Sequence, residues 1–124
     1  MEYIIAFFVA LVVLAVIVNP NSNSASDAEL IYDNAIHSDG REKLEYAEKY
    51  ARLMETCEQK YAGKVFDFGI DIFSQDISLS HIDPNTKELL YPFAIRFTNA
   101  AQRHGIRSNW DAVFFKKRLL SEET

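Results

Sequence analysis

Residues 41–62, REKLEYAEKYARLMETCEQKYA, carry the clearest helical pattern in this 124-residue chain. Their apolar side chains recur every three to four positions and form one stripe: Leu44, Ala47, Tyr50, Ala51, Met54, Cys57 and Tyr61. Charged side chains, Lys43 among them, fill the opposite face, and Glu45 and Lys49 form a favourable i,i+4 pair. The pattern predicts an amphipathic helix that ends at Gly63 and packs its stripe on a small core.

A second, shorter helix is predicted on the N-terminal side of this segment. Ser26 or Asp27 is its candidate cap, and apolar residues recur at helical spacing up to Ile36. Ser38-Asp39-Gly40 then breaks the pattern. The two helices are therefore expected to form a hairpin.

Two further helices are predicted near the C-terminus. Asp83-Pro84 is a typical helix start, and the apolar stripe that follows runs to Gly105. Pro92 interrupts that stripe, which predicts a kink or a delayed start near Tyr91. Residues 108–111, SNWD, resemble a capping box and open the last helix.

Between these helices the hydrophobic period changes to two. Residues 66–72, FDFGIDI, and residues 76–80, DISLS, both alternate apolar with polar or small side chains. This alternation predicts a short two-stranded element, although Ser74-Gln75 makes a poor tight turn and an irregular helix over 64–82 is the alternative. The predicted fold class is helix-rich α+β.

Residues 3–18, YIIAFFVALVVLAVIV, contain no charged side chain, glycine or proline. As a helix they span about 24 Å, against about 30 Å of bilayer hydrocarbon. We predict a single transmembrane helix whose anchoring residues are Tyr3, Ile4, Ile5, Phe7, Phe8, Val9, Leu11, Val12, Val13, Leu14, Val16, Ile17 and Val18. A cleaved secretory signal and a buried core helix are the alternatives, and the absence of a basic residue before the apolar run argues against the signal.

The remaining organisation follows from this segment. Residues 19–26, NPNSNSAS, predict a flexible tether, so the chain divides into an anchor (1–18), a tether (19–26) and one small globular domain (27–124). Asp27, Glu29 and Asp33 follow the apolar run, and no Lys or Arg occurs before Arg41. This flank favours a single-pass topology with the domain on the extracytoplasmic side.

Charge is unevenly distributed along the predicted domain. Residues 27–83 carry 13 acidic and 6 basic side chains, whereas residues 84–124 carry 4 acidic and 7 basic ones. Lys116, Lys117 and Arg118 form a short basic cluster, which is either a solvated helix end or a contact for lipid headgroups or an acidic partner. The net charge of −5 argues against nucleic-acid binding.

The sequence contains no pattern typical of a catalytic or metal site. The three histidines, His37, His81 and His104, are never spaced i,i+4, and the three aspartates at 67, 71 and 76 do not match a calcium loop. Cys57 lies on the apolar stripe, which predicts a buried thiol rather than a Cys–His nucleophile. We predict no catalytic residues, no cofactor and no metal.

These features predict a protein that does not catalyse a reaction. The chain is expected to be a membrane-anchored, non-enzymatic subunit that links a lipid bilayer to protein partners in an envelope or respiratory complex, or in a membrane-containing virion. A small-molecule ligand is not expected. The alternatives are a membrane-tethered regulator or inhibitor of the immunity or exclusion type, and a secreted small hydrolase. The hydrolase requires a cleft that joins His81 or His104 to a carboxylate.

Overall fold

A computed structural model describes residues 23–120, and these residues fold into helices without any strand. The helices are α1 (Ser24–His37), α2 (Gly40–Thr56), α3 (Gln59–Ser74), α4 (Asp76–Leu79), α5 (Pro84–Arg103) and α6 (Ala112–Leu119). The α+β prediction is therefore wrong over this range.

The third helix, α3, is the centre of the fold and contacts all five of the others. Helix α2 packs mainly on α5, and α6 packs on α5 and α3. Seven residues of α3 are buried: Ala62, Val65, Gly69, Ile70, Ile72, Phe73 and Ser74. A helix covered on several sides carries more apolar residues than a single stripe holds.

This central position explains why the strand prediction over residues 66–72 fails. Val65, Gly69, Ile72 and Phe73 follow the helical spacing i, i+4, i+7 and i+8 and are buried. Phe66 and Phe68 are half-buried, Phe66 beside Phe73 against the ring of Phe97, and together with Ile70 they produce the apparent alternation. The segment therefore fits both periods, and packing selects the helix.

The second predicted strand, residues 76–80, is also helical. Asp76–Leu79 form the short helix α4, and Ser80 is its C-terminal cap. Ser78 points inward and is fully buried, while Ile77 is 55% exposed. The polar side chain is therefore inside and the apolar one outside, which reverses the arrangement that the alternating pattern predicts.

The predicted helix over residues 41–62 is two helices. Helix α2 ends at Thr56, and Cys57 and Glu58 have extended backbone angles (ψ 156° and 148°) before α3 begins. Gly63 lies inside α3 and does not end a helix. The break turns the chain so that α3 packs back against α2 and α1.

Helix ends agree better with local signals. Helix α5 begins at Pro84 as predicted and continues through Pro92, so the delayed start near Tyr91 is wrong. Asp111 caps α6 by accepting a hydrogen bond from the Phe114 N–H at 2.9 Å. At the end of α5, Gly105 has φ +83°, a left-handed conformation that glycine adopts at low cost.

The membrane prediction gains no support from the described part of the chain. Within residues 23–120, every helix is too short or too polar to cross a bilayer. The predicted transmembrane helix itself, residues 3–18, lies outside the described residues, as do residues 19–22 of the predicted tether. The last residues assigned to that tether, 24–26, already belong to α1, whose cap is Asn23.

Candidate functional site

The most unusual polar group of the described domain is Lys43, which lies in the first turn of α2 and is fully buried. Its Nζ donates hydrogen bonds to the carbonyl oxygens of Ala35 (2.6 Å) and Ile36 (3.0 Å) at the end of α1. The third bond goes to Oγ of Ser78 on α4 (2.8 Å). One ammonium group therefore joins three helices.

Burial lowers the pKa of Lys43 to about 8, because a charged amine is poorly solvated inside the core. The carboxylate of Asp39 acts in the opposite direction but does not offset the burial. All three N–H donors of Lys43 go to uncharged acceptors. Lysine is rarely buried in this way, so the cluster is a candidate site on physical grounds.

The sequence pattern assigns Lys43 to the charged face of its helix, and this assignment is wrong. Its position four, seven and eight residues before Ala47, Tyr50 and Ala51 places it in phase with the apolar stripe. This spacing is the sequence signal that could have placed Lys43 in the core. The acceptors come from α1 and α4, which no local pattern around Lys43 reveals.

A serine hydroxyl beside a lysine of lowered pKa is also the composition of a Ser–Lys catalytic dyad. In this fold the Ser78 hydroxyl donates a hydrogen bond to the carbonyl oxygen of Ile72 at 2.8 Å. Ser78 and Lys43 both have 0% exposed surface, so a substrate has no path to either group. The cluster therefore acts as an internal brace.

The structure brings together a second pair of reactive types, Cys57 and His104. Sγ of Cys57 lies 3.7 Å from Nε2 of His104. The same ring nitrogen lies 2.9 Å from the carbonyl oxygen of Met54. Since a carbonyl only accepts, Nε2 carries its hydrogen there and is not free to remove the thiol proton. Burial also raises the pKa of Cys57, so the thiol form is favoured.

We expect Cys57 to be unreactive in the folded protein. Modification by an aromatic disulfide reagent at pH 8 should be at least about tenfold slower than in the denatured chain, because the thiolate is scarce and covered. His104→Ala should leave this rate unchanged or raise it by exposing the sulfur. A slower rate in His104→Ala would show that the histidine activates the thiol.

The other histidines do not form the cleft that a hydrolase requires. Nε2 of His81 lies 2.9 Å from the carbonyl oxygen of Ser38, and His37 is an exposed helix-end residue 3.8 Å from Asp33. Within residues 23–120, neither His81 nor His104 contacts a carboxylate. The condition set for the hydrolase alternative is therefore not met by these residues.

The three aspartates considered as cation ligands point to different partners. Asp71 accepts a hydrogen bond from the Tyr32 hydroxyl at 2.6 Å, which raises the pKa of Tyr32 to about 12. Asp76 pairs with Arg118, and Asp67 is exposed. No group of three or more His, Cys, Asp or Glu side chains in the described range is placed to hold a metal ion.

The predicted basic cluster on the last helix is divided by the fold. Arg118 pairs with Asp76 and donates from Nε to the carbonyl oxygen of Ser74 at 2.9 Å, which ties α6 to the end of α3. Lys116 and Lys117 are exposed and face solvent. Two of the three predicted contact residues thus remain available to a partner.

These two lysines share the outer face of α6 with an apolar residue. Val113 is 62% exposed, and the i, i+3 and i+4 spacing places it beside Lys116 and Lys117. The opposite face is held in the core by Phe115 and Leu119.

No protein-family model, curated protein sequence or solved structure matches this chain, so the functional argument rests on the contacts described above.

Proposed function

We propose that the described domain is a non-enzymatic interaction subunit that docks into a larger protein assembly, oriented by its charge. The observation that carries this proposal is the separation of charge. Residues 23–83, which form α1 to α4, carry 13 acidic and 6 basic side chains, a net charge of −7. Residues 84–120, which include α5 and α6, carry 2 acidic and 7 basic ones, a net charge of +5.

Two ion pairs also connect the two halves of the domain. Arg96 of α5 binds Glu55 of α2 through two hydrogen bonds, at 2.6 Å and 3.2 Å, and Arg118 of α6 binds Asp76 of α4. The charges that these two pairs do not use are still mainly acidic in residues 23–83 and mainly basic in residues 84–120. Charge complementarity mainly sets orientation and the association rate, which suits a docking subunit.

The hydrogen bonds of Lys43, Ser78 and two histidines support the same proposal. Lys43 binds the hydroxyl of Ser78 on another helix. His81 hydrogen-bonds to the carbonyl oxygen of Ser38, and His104 to that of Met54, so both join parts of the chain that are distant in sequence. Each therefore has a role in stabilising the fold. The predicted extracytoplasmic location concerns residues outside the described range and stays a prediction.

The proposal is tested by extracting the native complex in mild detergent and identifying what migrates with the chain. Glu45→Lys and Glu88→Lys are a matched pair: both residues are exposed and both changes add the same charge. The first reduces the charge separation, and the second increases it. We expect Glu45→Lys to reduce partner retention at physiological salt and Glu88→Lys to preserve it.

Equal retention in the two variants, or migration of the chain without any partner, would contradict the proposal. A stable subunit should co-purify at fixed stoichiometry. A chain that enters a complex only when a particular target protein is present would favour the regulator or inhibitor alternative instead.

A further inference from the structure

The solvent face of α1 is acidic and has an apolar centre. Its exposed residues follow the helical repeat i, i+3, i+4, i+7, i+8 and i+11: Ser26, Glu29, Leu30, Asp33, Asn34 and His37. Leu30 is 79% exposed, the largest value among the exposed large hydrophobic side chains of the described residues. Glu29 precedes it directly, and Asp33 lies one turn away.

The outer face of α6 is its counterpart with the opposite charge. Val113 is exposed beside Lys116 and Lys117, and no ion pair in the described part of the chain uses either lysine. Each face therefore presents one branched apolar side chain and two charges of a single sign.

We propose that a second copy of this chain is the partner of both faces, with α1 of one copy docked on α6 of the other. Leu30 would cover Val113, and Glu29 and Asp33 would lie against Lys116 and Lys117. This goes beyond the proposed function, because the contact requires no other protein.

The size of the faces sets the expected strength. Helix α6 has eight residues and is about 12 Å long, so one contact is smaller than a standard stable interface. Every copy carries both faces, and a twofold dimer forms the contact twice. The association should therefore be weak, dependent on concentration, and reduced by added salt.

Charge reversal gives the decisive test. Sedimentation equilibrium is measured on the full chain in a nonionic detergent that keeps the apolar residues 3–18 dissolved. Lys116→Glu with Lys117→Glu, or Glu29→Lys with Asp33→Lys, should each weaken self-association by about tenfold or more, since both faces then carry the same sign. An equimolar mixture of the two variants should recover association, because a basic α1 meets an acidic α6.

Lys60→Glu with Lys64→Glu is the matched control, because it reverses two exposed lysines on α3. This control should associate like the wild type. A chain that is monomeric at all concentrations would overturn the proposal. Association that is equal in all variants, or a mixture that does not recover, would assign the contact to another surface and would also overturn it. None of these results bears on the subunit proposal, which is tested by co-purification.

Discussion

Gly69→Ala is expected to lower the free energy of unfolding by about 1–3 kcal/mol, despite the higher helix propensity of alanine. Gly69 lies in α3 where this helix meets α2 and α5. A Cβ atom at this position would lie 2.5 Å from Cε2 and Cζ of Phe97 and 3.0 Å from Cδ1 of Tyr50. Both rings are fully buried, so neither can move aside into solvent.

The surroundings of these rings explain why the clash cannot be relieved locally. Phe97 stacks on Phe66 at 5.8 Å between centroids and packs on Phe73 at 5.6 Å. The Tyr50 hydroxyl is fixed by a 2.6 Å hydrogen bond to the carbonyl oxygen of Ala28. A shift of either ring therefore disturbs the contacts of α3 with its neighbours.

Gly63 of the same helix is the matched control, because a Cβ atom there meets no atom within 4 Å. Gly63→Ala should raise the free energy of unfolding by about 0.5–1 kcal/mol through helix propensity alone. Urea unfolding of both variants, followed by circular dichroism, measures the difference. Equal effects of the two substitutions would show that the packing around Gly69 can relax.

The buried charge of Lys43 should make stability depend on pH. The pKa of Lys43 is about 8 in the folded chain and 10.5 by its ordinary value, so between these limits the unfolded chain binds more protons. The contribution of Lys43 to stability must then rise with pH across this window, and it is lost as pH falls through 8. From pH 8 to 9.5 the gain should approach about 2 kcal/mol.

The measurement compares the free energy of unfolding of the wild type and Lys43→Met from pH 7 to 9.5. Methionine fills similar space without a charge, so the wild type should gain stability relative to this variant as pH rises. Burial and neighbouring charges raise the pKa of Tyr50, but this group is common to both proteins and cancels. Lys64→Met, at an exposed position, should run parallel to the wild type. Parallel curves for Lys43→Met would mean that Lys43 titrates as in solvent.

Much of the helical part of the domain is predictable from short-range patterns. The proline start at Pro84 and the buried positions Ala47, Tyr50, Ala51 and Met54 all follow from residues within two turns of each other. The last helix was also predicted, but its cap is Asp111 and not Ser108 at the start of the predicted capping box. Such signals act through local hydrogen bonds and helix periodicity. They require no knowledge of the rest of the chain.

The candidate sites were less predictable. The sequence places Cys57 on a buried stripe, and Cys57 is buried, but its contact with His104 spans 47 positions. Lys116 and Lys117 were correctly placed on the last helix. Arg118 is not available on the same surface because its guanidinium binds Asp76 and the carbonyl oxygen of Ser74, more than 40 residues away in sequence. Such contacts are set by how helices pack.

The sequence by itself therefore determined the start of α5 at Pro84, the amphipathic face of α2 and the uneven charge. Only the tertiary structure decided that residues 66–72 form a central helix and that Lys43 enters the core. The physical reason is the same in both cases. An apolar or charged side chain does not specify which neighbours will cover it, and these neighbours come from α1, α4 and α5, which are distant in sequence.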